Sequence, residues 1–184
     1  KAAILYGTGE GPLLSRGVRR ILHDAGYEFV ADVCEADIII AHSGGALVVP
    51  FECKAKVILL AGPIIGHKGL FRSAVRKVRQ DFGYYRRQRM LTAWLAKSCV
   101  NVFYILTTMP YIGRMWRASR EQRNQLPPLP ETRVAVVCYK DDPWSRHLGE
   151  HLLHVDSKHT FLSLDRLHDD LWDNPKDYVT VIQY

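Results

Sequence analysis

Three short stretches of this chain carry side chains able to do acyl chemistry. In the first, an apolar run at 37–41 (DIIIA) leads directly into His42-Ser43-Gly44-Gly45. A serine hydroxyl is a poor nucleophile until a base takes its proton and a third group holds that base. A serine on a sharp strand-to-helix turn stands exposed for attack, and the turn needs small residues on both sides of it. Ala41 and Gly45 occupy those two places. In the second stretch, Asp141-Asp142-Pro143 follows the apolar run 133–139 (RVAVVCY), and in the third His168 follows 160–164 (TFLSL). Serine, carboxylate and imidazole therefore each lie just past the end of a strand-like run.

The elements that must position them can be read from apolar patterning. Residues 2–6 (AAILY) form a buried strand ending at Gly7, and 7–12 (GTGEGP) form a loop. Residues 13–26 place Leu13, Leu14, Val18, Ile21 and Leu22 at helical spacing, and Gly26 stops the helix. Residues 28–33 predict a second, half-polar strand. The run 37–41 predicts a third, followed by a helix from Ala46 to about Cys53, and 56–61 (KVILLA) predicts a fourth. Residues 67–123 read as two or three helices, and 126–130 (LPPLP) as an extended linker. The strand 133–139, a helix at 145–154, the short strand 160–164 and a closing helix from Pro175 complete the chain. No internal repeat is present.

Strands alternating with helices predict an α/β fold, a mostly parallel sheet flanked by helices. At 184 residues the chain fits one domain, 1–184, with a helical, basic cap or lid inserted at 67–125. Parallel sheets bind ligands at the carboxyl ends of their strands, where Ser43, Asp142 and His168 all fall.

These residues carry a family likeness. The chain resembles a small α/β-hydrolase of the serine-hydrolase kind over nearly its whole length, with Ser, Asp and His in that family's chain order. Asp142 precedes a proline, as the family's acid does, so the resemblance selects it over Asp141. The segment 167–172 (LHDDLW) is similar to the family's histidine loop, without the glycine that often precedes the histidine. The resemblance implies a nucleophile Ser43, a base His168, an acid Asp142 and an oxyanion hole made by the amides of Gly44 and Thr8. The reaction implied is cleavage of an ester or related acyl bond of a small-molecule substrate, without cofactor or metal. The alternative on the same fold is a catalytically weak or inactive binding module that engages an acidic partner through the basic 67–125 segment.

Other patterns point to less. The loop 7–12 has Pro12 where a dinucleotide fingerprint needs its third glycine. His147, Glu150 and His151 fit H-x-x-E-H, but no glutamate follows Glu150 to complete an inverted zinc-protease site, so they read as a polar helix face. Asp169 and Asp170 read as favouring the next helical turn through its dipole. His42 reads as packing or hydrogen bonding locally.

The net charge of +6 is unevenly spread. Residues 67–123 hold thirteen Lys and Arg against two Asp and Glu, a local +11, which leaves −5 for the remainder. Interleaved with aromatics, this segment suits an amphipathic lid, and also an acidic partner or an anionic membrane surface. No specific nucleic-acid motif accompanies it. The longest apolar run, 99–112, is about 14 residues, too short to span a bilayer as a helix. No signal peptide is expected, since Lys1 leads straight into a strand. The four cysteines are widely separated and form no C-x-x-C, which predicts free, partly buried thiols in a reducing, cytoplasmic setting.

Overall fold

A computed structural model describes residues 1–50, 53–63, 70–107, 133–140, 142, 159–166 and 168–183, with a few isolated positions between 110 and 117. Five strands form one sheet in the order of the sequence: β1 (Ala2–Leu5), β2 (Ile38–His42), β3 (Val57–Ala61), β4 (Arg133–Tyr139) and β5 (His159–Leu164). Every neighbouring pair is parallel. One row of paired residues, Leu5, Ala41, Leu60, Val136 and Phe161, crosses the sheet near its carboxyl edge. Whatever follows that row in each strand meets at one rim.

The strand compositions fit strands buried on both faces, which read as continuous apolar runs instead of alternating ones. Ala2, Ile38, Ile40, Leu59, Ala61, Ala135, Val137 and Tyr139 belong to one apolar cluster, and Ala3, Ile39, Ala41, Ile58, Leu60, Val134, Val136 and Cys138 to the other. The first cluster is covered by α1 (Arg16–Asp24) through Val18 and Leu22, and by the C-terminal helices α4 (Asp170–Asp173) and α5 (Pro175–Gln183) through Leu171, Trp172, Tyr178 and Val179. The expected stop of α1 holds: Gly26 lies just beyond the helix at φ +86°, a conformation glycine adopts without penalty.

Two expectations need correction. Residues 28–33 do not form a strand of the sheet. Phe29 makes one isolated parallel bridge to Ala2, and the chain then turns through a 3-10 segment at Val33–Glu35, begun by the Asp32 carboxylate accepting from the Cys34 amide at 2.9 Å. Glu28, Asp32 and Glu35 leave too little apolar surface for a strand buried on both faces. The helix expected after Ala46 is also absent. The chain makes a buried 3-10 segment at Ser43–Val48 and is extended at Val49, because Val48, Val49 and Pro50 favour leaving the helix over continuing it.

Between β3 and β4 lie α2 (Leu70–Arg87) and α3 (Leu91–Thr107), which pack on each other through Phe82 and Trp94, edge to face at 5.2 Å. Tyr104 of α3 accepts a hydrogen bond from the Leu13 amide at 3.1 Å, and its ring lies on Gly11. The inserted helices are thus seated on the glycine-rich loop after β1. Apart from isolated positions between 110 and 117, the rest of the 67–125 segment lies outside the described residues, as do the helix expected at 145–154 with its histidines and Asp141.

Candidate active site

β2 ends at His42, and Ser43 takes φ +53°, one of two non-glycine residues on the left-handed side among those described. That conformation costs a non-glycine residue free energy and persists only where its surroundings fix it. Two close approaches do so here. A Cβ on Gly45 would run into the carbonyl of Leu5, so only glycine lets the turn press against β1. Gly7 lies against the serine itself, its Cβ position 2.7 Å from Ser43 Cβ and 3.0 Å from Oγ. Ala41, the small residue on the other side, is fully buried. Strand, strained serine and small neighbours form a nucleophile-elbow geometry.

His168 follows β5, and Asp142 follows β4. The Nδ1–H of His168 donates to Asp142 Oδ2 at 2.7 Å, and both residues are buried. Gly62, at φ +53° after β3, makes room for this ring: its Cβ position lies 3.1 Å from His168 Nδ1 and 2.7 Å from the Tyr139 ring. The structure therefore brings Ser43, Gly44, His168 and Asp142 to one rim of the sheet. Thr8 is exposed in the adjoining loop, one residue beyond the glycine that packs on Ser43.

A second pair underlies these residues, and sequence reasoning missed it. His42, fully buried, donates through Nδ1 to Glu10 Oε1 at 2.6 Å and through Nε2 to the backbone carbonyl of His168 at 2.8 Å. The other Glu10 oxygen accepts from the Gly7 amide at 2.7 Å. His42 bonds across 32 and 126 residues of chain, so its expected local role is overturned. A carbonyl oxygen can only accept, which fixes a proton on Nε2. Burial alone would push the Glu10 carboxyl up and the His42 imidazole down. Their mutual attraction and hydrogen bonding outweigh it, holding Glu10 below and His42 above their ordinary values. The pair is an imidazolium–carboxylate strut joining the loop after β1, the end of β2 and the loop that carries His168.

Asp169 and Asp170 likewise do more than favour a helix dipole. The Lys97 ammonium of α3 lies 3.2 Å from Asp169 and 3.6 Å from Asp173, so the inserted helices are tied to the histidine loop by charge. Burial opposes the ammonium, but the two aspartates prevail and raise its pKa. Asp170 accepts from Tyr178 Oη at 2.6 Å, Asn174 at 2.6 Å and Arg166 at 2.9 Å, fixing α4 against α5. His42, His168 and Asp169 cluster with metal-ligand spacing. However, both ring nitrogens of His42 are engaged, by Glu10 and by the His168 carbonyl, so the imidazolium has no lone pair to give an ion.

No family model and no curated protein matches the chain by sequence. Its fold is nonetheless a known one. The chain has the α/β-hydrolase fold. Superposed on an enol-lactonase from Burkholderia xenovorans it gives a TM-score of 0.64 at 10% identity, covering 99% of this chain and 89% of that one. A thioesterase domain from the curacin biosynthetic pathway gives 0.55 at 11% identity over 100% and 90% of the two chains. A proline iminopeptidase-related protein from Thermus thermophilus gives 0.51 at 14% over 98% and 86%.

Proposed function

We propose that the chain is a serine hydrolase acting on an ester or related acyl bond. The observation that carries this reading is the 2.7 Å Asp142–His168 hydrogen bond at the rim where Ser43 is held at positive φ. Ser43 Oγ attacks the acyl carbonyl while His168 Nε2 takes the hydroxyl proton. Asp142 holds the ring in the required tautomer and stabilises the imidazolium that forms. The amides of Gly44 and Thr8 receive the developing oxyanion, a contribution of about 3–4 kcal/mol per donor in comparable sites. Collapse of the tetrahedral intermediate expels the alcohol or thiol, which leaves with the proton from His168. A water deprotonated by His168 then attacks the acyl-enzyme, and Ser43 recovers its proton as the acid departs.

The lactonase and thioesterase among the superposed structures cleave acyl–oxygen and acyl–sulfur bonds by their names, and they support an acyl substrate here. The test is a fluorophosphonate probe. Wild-type protein should label stoichiometrically and Ser43→Ala should not. Equal labelling of the two, or none of the folded wild type, overturns the reading.

A further inference from the structure

Helix α3 is built inside out. Its single charged residue, Lys97, points inward to Asp169 and Asp173, and Tyr104 also faces the body of the protein. Its outer face carries Leu91, Leu95, Cys99, Val102 and Leu106, which recur every three or four residues and so form one continuous stripe, with Phe103 beside it. Leu95 is 55% exposed, Phe103 56% and Leu106 71%. Isolated exposed apolar residues are ordinary, but a contiguous stripe along a whole helix marks an interaction surface.

The partner helix shows what that surface meets. On α2 the exposed residues Val75, Val78 and Phe82 share a face, by the same spacing, with the exposed Arg79 and Arg86. Arg87 and Arg89 are exposed at the turn into α3. The only acid of α2, Asp81, is only partly exposed and falls off that face. Apolar side chains interleaved with arginines match the acyl boundary and the anionic headgroups of a bilayer, in which arginine buries its stem and keeps its guanidinium among phosphates. A second copy of this chain would oppose arginines to arginines, and a nucleic acid would leave the stripe in water. No described helix is long and apolar enough to cross a membrane, so the contact is with the surface.

We propose that the α2–α3 hairpin docks the protein on anionic membrane surfaces, its apolar stripe inserted at the headgroup boundary and its arginines among the lipid phosphates. The hairpin is the same element that Lys97 and Tyr104 fasten to the catalytic rim, so docking sets that rim beside the bilayer.

Co-sedimentation of the full chain with phosphatidylglycerol–phosphatidylcholine vesicles, against phosphatidylcholine alone, tests this. Binding should require phosphatidylglycerol and weaken with salt. Arg79→Glu with Arg86→Glu should lower partitioning about thirtyfold or more. Leu95→Ser, Phe103→Ser and Leu106→Ser together should lower it about a hundredfold. These residues are exposed, so circular dichroism and the unfolding midpoint should stay as in wild type. Ser43→Ala should bind vesicles as wild type does, which separates this proposal from the hydrolase reading. Equal binding to neutral vesicles, or none to anionic ones, overturns it. So does a solution dimer that the stripe substitutions dissociate, or nucleic-acid binding that they leave intact.

Discussion

Glu10 and His42 form a buried ion pair, 2.6 Å between Oε1 and Nδ1, whose remaining donors and acceptors grip the backbone at Gly7 and His168. Gly7 N–H is fixed from the carboxylate end and the His168 carbonyl from the imidazole end. The strut thereby sets the spacing between the loop after β1 and the loop that carries His168.

The first prediction concerns what happens when one half is removed. Glu10→Gln leaves a buried imidazolium and His42→Gln a buried carboxylate, each costing about 3–5 kcal/mol, since losing one partner leaves the other charge uncompensated. The double substitution leaves no buried charge and should cost clearly less than the two singles added together. Urea unfolding of the four proteins measures this cycle. Additive losses would mean that the two side chains do not act as a unit.

The same pair sets a pH window. The Glu10 carboxyl is held below its ordinary value, so its contribution is present above an unfolded pKa near 4.5 and fades as pH falls through the folded value. The His42 imidazole is held above 6.5, so its contribution is complete below 6.5 and fades as pH rises through the raised folded value. Wild type should therefore lose stability on both sides of the interval between about 4.5 and 6.5, relative to the Glu10→Gln/His42→Gln double variant. Thermal midpoints of both proteins across pH check this. Parallel curves would refute it.

How much of this was legible in sequence depends on how local each signal is. The strands at 38–42, 57–61 and 133–139 were readable because burial on both faces forces unbroken apolar runs. The positions of Ser43, Asp142 and His168 at one rim were readable because each lies within four residues of the end of a strand. The strut was not, because its members lie in unrelated contexts: Glu10 reads as a loop acid and His42 as a strand end. A signal did exist in retrospect. Two strand ends that meet at one rim each carry an ionisable residue in apolar or glycine-rich surroundings, and burial there demands a partner. The strand at 28–33 and the helix at 46–53 were misread although the signals were local: acidic residues leave the first too little apolar surface for burial on both faces, and Val48, Val49 and Pro50 turn the second out of the helix.

Thiol reactivity tests the packing of the second apolar cluster, to which Cys53 and Cys138 both belong. Cys34 and Cys99 are exposed, whereas Cys53 and Cys138 are buried, and burial pushes the Cys138 thiol up to about 12. A thiolate is the reactive form, so two of the four thiols should react rapidly with an aromatic disulfide reagent at neutral pH. The other two should react only on unfolding. Cys99→Ser should remove one fast equivalent. Four fast equivalents in folded protein would contradict the burial of Cys53 and Cys138.

The hardest test of the site's geometry is at Gly62, which touches no substrate. At φ +53° an added Cβ is strained whatever the space, and here it would also press on the Tyr139 ring at 2.7 Å and the His168 ring at 3.1 Å. Tyr139 donates to Tyr178 Oη at 3.1 Å, the Tyr178 proton being held by Asp170, and Tyr139 is fully buried, so it has little room to yield. The added methyl therefore presses on both rings, and at His168 it meets Nδ1, the atom that bonds Asp142. Gly62→Ala should cost about 1–2 kcal/mol of stability from backbone conformation. Its effect on turnover should be far larger, about a hundredfold or more, because displacing a catalytic group by about 1 Å has that consequence. The readout is kcat on an activated ester beside the urea midpoint, with Ser43→Ala as the floor. Activity that falls only in proportion to the folded fraction would show that the His168 ring is not held in place by the backbone at Gly62.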